Sequence, residues 1–404
     1  MKKRGLLVLC FLVPLSFSLW AMDFGVLLDE SLNYTNQNSE GSFDYTGSLI
    51  PRFSYFFDEK SDLYASMGLS IEYQNSNWDF IPELLRTEFS MGFGSFGFKA
   101  GRTYYSDPLG FIAEGLFDGL EFFYDAPLGI FKGGVWYTGL LYKKRANIYL
   151  TMEEYESFYR AFEFSEFADT YFAPRRMLFS LGWEHPALLE SIIAKAAFLG
   201  QFDLNDETSL NSQYLTAKFT VPLGVFTMDL GGSLSFIQDE GEAGISFAAE
   251  LGASWMPPTS FPSRLSFLGR FTSGFFEDSP IREFLPLTAK AQGEVLKANL
   301  SGISILSLGY LARLHQSFSL GLSASSYLRN DKGIYAGYPV GSGSGDDADG
   351  FLLGTEFFGR FFWSPFSDLQ LSIGGGAFLP SLGNTAPSAD PLWRLEFNVI
   401  FSVY

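Results

Sequence analysis

The chain has 404 residues, of which 47% are hydrophobic and 18% aromatic, with 42 glycines, one cysteine and a net charge of −18. An excess of 45 acidic over 27 basic side chains argues against a nucleic-acid partner. One cysteine cannot form a disulfide within the chain or a multi-thiolate metal site, and no cofactor is expected.

In chain order, Met1-Lys2-Lys3-Arg4 precedes an apolar run over 5–19 and then Trp20-Ala21-Met22-Asp23, the layout of a secretory signal peptide. Cleavage is expected after Ala21, with Leu19 larger than a peptidase prefers at the −3 position. The run is too short for a spanning helix, which needs ~20 residues. Cys10 leaves with the leader, and Leu9 before it is bulky where a lipoprotein signal needs a small residue. The expected organisation is therefore a leader over 1–21 and one β-domain over 22–404. Without the three leader cations, 24 basic residues face 45 acidic ones, a net charge of −21.

Beyond the leader no apolar run approaches ~20 residues, so helical membrane spans are not expected. Backbone groups in hydrocarbon must be paired within the protein, which leaves closed barrels, whose strands are apolar at every second position. Leu63, Ala65, Met67, Leu69, Ile71 and Tyr73 alternate with Tyr64, Ser66, Gly68, Ser70, Glu72 and Gln74. Leu85, Phe89, Met91 and Phe93 oppose Arg86, Glu88, Ser90 and Gly92 in the same way. The period returns at Leu215, Ala217, Phe219 and Val221, at Leu265, Phe267 and Phe271, and at Leu369, Leu371, Ile373 and Ala377. The fold predicted is all-β: a transmembrane antiparallel β-barrel of about 18 strands (range 16–20), each of roughly 9 to 15 residues.

Short periplasmic turns are predicted at 58–62, 94–95, 125–129, 184–190, 222–224, 256–262, 315–317 and 364–368. All the long connections then fall on the other side, at 106–118, 144–174, 273–302, 330–350 and 380–391. This parity requires 282–302 to be loop and not strand. The 273–302 segment is long enough either to fold inward and narrow a pore or to lie as a surface flap. The Gly/Ser/Asp tract over 341–350 reads as a solvated tip, and its Asp346, Asp347 and Asp349 do not match a calcium-loop pattern.

The parity opposite the apolar one defines what the wall offers a solute. The predicted pore-lining cations are Arg52, Arg86, Lys99, Lys132, Lys195, Lys218, Arg264, Arg270, Arg313 and Arg360, with Arg176, Arg329 and Arg394 on the same parity. Fewer acids share it: Asp44, Glu72, Glu88, Glu121, Asp229, Glu250, Glu356 and Glu396. The wall leans basic while the chain is acidic, which favours anionic or polyhydroxylated solutes. Pairing of these charges into structural networks, for instance Arg86 with Glu88 across strands, is the expectation that stands against it.

Tyr104, Tyr105, Tyr137, Trp183, Trp255 and Trp363 are expected in the interfacial girdles. His185 and His315 fall at predicted turns with no serine or carboxylate pair near either in sequence, so no catalytic site is expected.

The segment Gly101-Arg102-Thr103-Tyr104-Tyr105-Ser106-Asp107-Pro108, followed by Gly115-Leu116-Phe117-Asp118-Gly119-Leu120-Glu121, resembles a strand-loop-strand segment of general porins and alginate-exporter-type barrels. In its mix of Phe, Gly and Ser the chain is similar to outer-membrane proteins of treponeme-like spirochaetes. Arg102 falls on the lipid parity, which demands a bulge or a strand end. Residues 393–404 resemble the C-terminal signal that such barrels present to the barrel-assembly machinery, although Phe397, Val399, Phe401 and Val403 run one position out of step with Tyr404.

The function these features imply is a porin-like channel for passive diffusion of small hydrophilic solutes in the bacterial outer membrane, with outer-membrane lipid around it and a homo-oligomer left open. Two alternatives stand beside it. A transporter of hydrophobic compounds would predict an N-terminal plug, for which little room exists between Ala21 and Phe24. A non-conducting surface barrel would use the acidic, aromatic loop over 146–174 as an adhesin.

Overall fold

The computed structural model describes residues 22–37, 40–74, 76–204, 210–239, 242–276, 279–331 and 350–403. The leader with Cys10 and Ala21, most of the 341–350 tract and Tyr404 lie outside them.

The described residues form 18 antiparallel strands in one closed sheet, which confirms the expected count. They are β1 (Met22–Gln37), β2 (Glu40–Asp58), β3 (Ser61–Gln74), β4 (Asn77–Phe93), β5 (Phe96–Ser106), β6 (Glu114–Ala126), β7 (Gly129–Tyr137), β8 (Arg176–Leu188) and β9 (Ile192–Asp203). The second half comprises β10 (Leu210–Leu223), β11 (Phe226–Asp239), β12 (Glu242–Trp255), β13 (Ser263–Thr272), β14 (Ile303–His315), β15 (Phe318–Arg329), β16 (Leu352–Phe366), β17 (Leu369–Leu379) and β18 (Leu392–Val403). Each strand pairs with its sequence neighbours, and β1 closes the ring on β18 from Val26–Val403 to Asn36–Trp393. Closure leaves no terminal edge strand, so donors and acceptors along the paired registers are satisfied without water.

Alternation accounts for the two faces. On β3, Met67, Leu69 and Ile71 are exposed while Ser66, Gly68 and Ser70 are buried or half-buried. On β18, Trp393, Leu395, Phe397, Phe401 and Val403 are all exposed, and Arg394 and Glu396 point to the other side. In a soluble protein so large an apolar outer surface would drive association; around a closed barrel it is the face that lipid covers.

All eight short turns lie where the alternation places them, on one end of the barrel. The turn expected at 184–190 is tighter, because β8 continues to Leu188 through a register shift between His185 and Leu188. The loops expected at 106–118 and 144–174 occupy 107–113 and 138–175, since β6 starts at Glu114 and β7 ends at Tyr137. Among the described residues, loop 273–302 holds no strand, as the parity required. Several strands exceed the expected 15 residues, β2 reaching 19 and β4 17, because the first two outer hairpins continue past the other strands. There Tyr45, Tyr73 and Trp78 pack on one another.

Candidate functional site: the loop-filled lumen

Three long connections turn into the barrel and interlock. Loop 107–113 is wound around the Asp107 carboxylate, which accepts the backbone N–H groups of Leu109, Gly110, Ile112 and Ala113 at 2.7, 3.2, 2.9 and 3.0 Å. Burial pushes this carboxyl above its ordinary value, and the four donors act against it. Loop 273–302 is joined to it where Thr288 N–H meets Ile112 O at 3.0 Å and Glu114 N–H meets Thr288 Oγ1 at 3.1 Å. The same loop takes the wall carboxylate of Glu356 on three consecutive N–H groups, of Glu294, Val295 and Leu296, at 2.7, 3.0 and 2.9 Å. Of the two expectations for 273–302, the inward fold is the one observed.

Loop 138–175 carries α1 (Lys143–Ala146), α2 (Met152–Tyr159) and α3 (Phe167–Tyr171). It meets loop 273–302 through Tyr149 N–H to Leu287 O at 3.0 Å and Ala289 N–H to Asn147 O at 2.7 Å. Thr151 caps α2, and Glu154 completes the capping box while also holding the fully buried Arg176 at 2.7 Å. Phe111, Phe284, Leu287, Leu300, Trp136, Tyr214 and Tyr327 form one buried cluster from these loops and the wall. Tyr105 joins it, with its ring 4.5 Å from Trp136 and not in a girdle as expected, because its parity is the inner one. Trp255 on Phe226 and Trp363 on Phe318 stack at the lower rim as girdle residues do.

Seven of the ten predicted lumen cations bind carboxylates. Glu88 is held by Arg86 at 2.5 Å and Lys99 at 3.3 Å; Glu184 by Lys132 and Lys195, both at 3.1 Å. Glu250 is held by Lys218 at 2.9 Å and Arg270 at 2.8 Å; Glu396 by Arg360 at 2.5 Å and Arg394 at 3.4 Å. The Arg86–Glu88 contact runs along β4, two residues apart, instead of across strands; Lys99 supplies the cross-strand partner. Each of these four acids is bracketed by two cations, while Glu294 offsets Arg360 and Glu121 faces Lys99 and Lys132. Arg270 also reaches Gln292 of loop 273–302 at 2.7 Å, and Arg360 reaches Glu294 at 3.1 Å.

The remaining three differ among themselves. Arg313 donates to Gln316 O at 3.0 Å in a periplasmic turn, Arg52 is engaged on β2, and Arg264 is exposed. Arg264, Glu294, Phe358 and Arg360 border a cavity of about 220 Å³, and Pro108, Glu184, Lys195, Lys218 and Asp229 border another of about 340 Å³. Both lie beneath the inward loops. His185 and His315 accept backbone N–H groups on Nδ1, from Ala187 at 3.2 Å and Ser317 at 3.3 Å, and serve their turns.

Arg102 is the residue whose position the alternation could not explain. β4 and β5 pair only from Phe93–Phe96 up to Thr87–Arg102. Above that point β4 pairs with β3 alone and β5 with β6 alone, so the wall parts into a seam. Gly101 makes the divergence possible: its φ is +110°, and a Cβ there would lie 2.1 Å from Thr87 O. Arg102 is 4% exposed; it pairs with Asp118 and donates to Leu84 O and to Leu140 O of loop 138–175.

No family model matches the chain, and no curated protein does. Solved structures share its fold. OccK9 (OpdG) of Pseudomonas aeruginosa is 10% identical with a TM-score of 0.62, over 95% of this chain and 98% of that one. OccK2 (OpdF) of the same organism in complex with glucuronate is 10% identical with a TM-score of 0.58, over 95% and 98%. OprD, again from P. aeruginosa, is 12% identical with a TM-score of 0.57, over 95% of each chain. The fold of this chain is that of a porin-type outer-membrane β-barrel.

Proposed function

We propose that the protein is an outer-membrane channel for passive diffusion of small hydrophilic solutes, with a preference for anionic or polyhydroxylated ones. The observation that carries this reading is the set of wall carboxylates each bracketed by two cations, below loops that fill the upper lumen. An 18-stranded barrel is wide enough to leave an aqueous path unless loops fill it. A net positive wall in a low-dielectric enclosure raises the local concentration of anions. Glucuronate, bound to OccK2, has both a carboxylate and several hydroxyls, the chemistry this wall would accept. Lys195, Lys218, Arg264 and Arg360 are proposed as lining residues, since they border the cavities beneath the loops.

A leader over 1–21, delivery to the assembly machinery through 393–404 and the likeness to treponeme-like spirochaetal proteins are part of the same proposal. They rest on the sequence features that suggested them. Liposome swelling with glucuronate, glucose and lysine tests it: faster entry of glucuronate and glucose than of lysine is expected, and equal or reversed rates would refute the preference.

A further inference from the structure

The seam between β4 and β5 lies where hydrocarbon surrounds the barrel. Its vertex at Arg102 is six residues above Phe96 at the lower rim, about 15 Å at a rise of ~3.3 Å per residue and a tilt of ~40°, within an apolar band ~25 Å tall. A strand edge at that depth exposes backbone groups that cost several kcal/mol each if left unpaired. Side chains replace the missing strand: Arg102 donates to Leu84 O, and Tyr171 of α3 donates to Pro82 O at 3.0 Å. The wall is therefore closed here by a loop and not by a ladder.

The lipid side of the seam is apolar, and on its inner side aromatic rings lie beside the Glu83–Arg145 ion pair at 3.2 Å. Leu84 and Tyr104, on the lipid-facing parity, are exposed, as is Leu140 at the closure. Behind them Ile81, Tyr142 and Tyr171 are buried together. From Tyr171 a chain of ring contacts leads outward, to Phe167 at 4.6 Å and to Phe162 at 5.8 Å, and from Phe162 to Phe164 at 4.8 Å. Phe164 and Phe167 are exposed, so the aromatic path runs from the outer surface of the loop to the seam.

We infer that the seam is a lateral portal, through which a small uncharged aromatic molecule collected on Phe164 and Phe167 passes along the rings of loop 138–175 into the outer leaflet. Ring faces offer such a molecule stacking without a hydrogen-bond requirement. The portal opens when Tyr171 and Leu140 move away from β4, which leaves the lower ladder from Thr87–Arg102 to Phe93–Phe96 intact. This route is separate from the aqueous lumen.

The test uses the full chain with Leu84→Cys and Leu140→Cys, expressed in cells whose lipopolysaccharide layer excludes N-phenyl-1-naphthylamine. A short bis-methanethiosulfonate linker joins the two thiols after assembly, so folding is complete before the seam is locked. The expected result is that uptake of the naphthylamine falls to the level of cells lacking the protein on linking and recovers on reduction, while glucose uptake stays within about twofold. Phe164→Ser/Phe167→Ser, with both positions exposed, is expected to slow naphthylamine uptake several-fold at unchanged glucose uptake. Equal naphthylamine uptake before and after linking would overturn the portal, as would parallel loss of both solutes, which would place the probe in the lumen. Absence of glucose uptake by the unlinked protein, with naphthylamine uptake still falling on linking, would count against the channel and support the portal.

Discussion

Arg102 and Asp118 form a two-point ion pair between β5 and β6, Nε to Oδ1 at 2.9 Å and Nη2 to Oδ2 at 2.8 Å, on the parity that elsewhere faces lipid. A fork of this kind needs guanidinium geometry, and its remaining nitrogen serves the β4 edge. Arg102→Met leaves Asp118 without its counter-charge and two carbonyls without a donor. A loss of about 3–5 kcal/mol is expected, read as a lower urea midpoint of the refolded barrel. Arg102→Lys recovers only part of it, because an ammonium cannot make the two parallel bonds.

Glu250 is 4% exposed and neutralises one of the two charges that flank it. Glu250→Gln therefore adds one positive charge to the lumen wall. The reversal potential under a potassium chloride gradient is expected to move toward the chloride value, and a shift toward potassium would show that Lys218 and Arg270 do not face permeating ions.

Glu356 is 1% exposed and is the anchor on which loop 273–302 turns, through three successive N–H groups. Glu356→Ala removes the anchor while the ladders of β16 to β15 and β17 stay in place. Larger and noisier single-channel currents are expected. Unchanged currents would mean that the loop does not narrow the path.

The ordinary lysine value of 10.5 falls to about 8 at Lys143, mainly through burial, with Lys144 and Arg160 adding to it. Its Nζ donates to Ser157 O at 3.0 Å and Arg160 O at 2.7 Å, joining α1 to the end of α2. Because the folded value lies below the ordinary one, this packing is favoured most above 10.5. Its stability falls as pH drops toward 8 and is constant below that. Resistance of loop 138–175 to external protease should therefore rise between pH 8 and 10, and Lys143→Met should flatten the profile.

Alternation made the barrel legible, since a period of two survives in strands such as β3 and β18 whatever their partners. The turns followed from it, and so did the exclusion of 282–302 from the strands. What the chain could not show was which inner charges meet. Glu250 binds Lys218, 32 residues away, and Arg270, 20 residues away, and only register brings them together. Tyr105 was misplaced because a strand-end tyrosine suits a girdle by composition, whereas its parity turns it toward Trp136. The seam had one sign in the sequence, an arginine on the wrong parity after a glycine. Its cause, the approach of Gly101 to Thr87 O, is a relation between two strands.

Single-channel recording of the refolded protein in planar bilayers tests the central claim most directly. Stable unitary currents with a chloride-leaning reversal potential are the predicted result. Persistent silence, or a preference for cations, would contradict it.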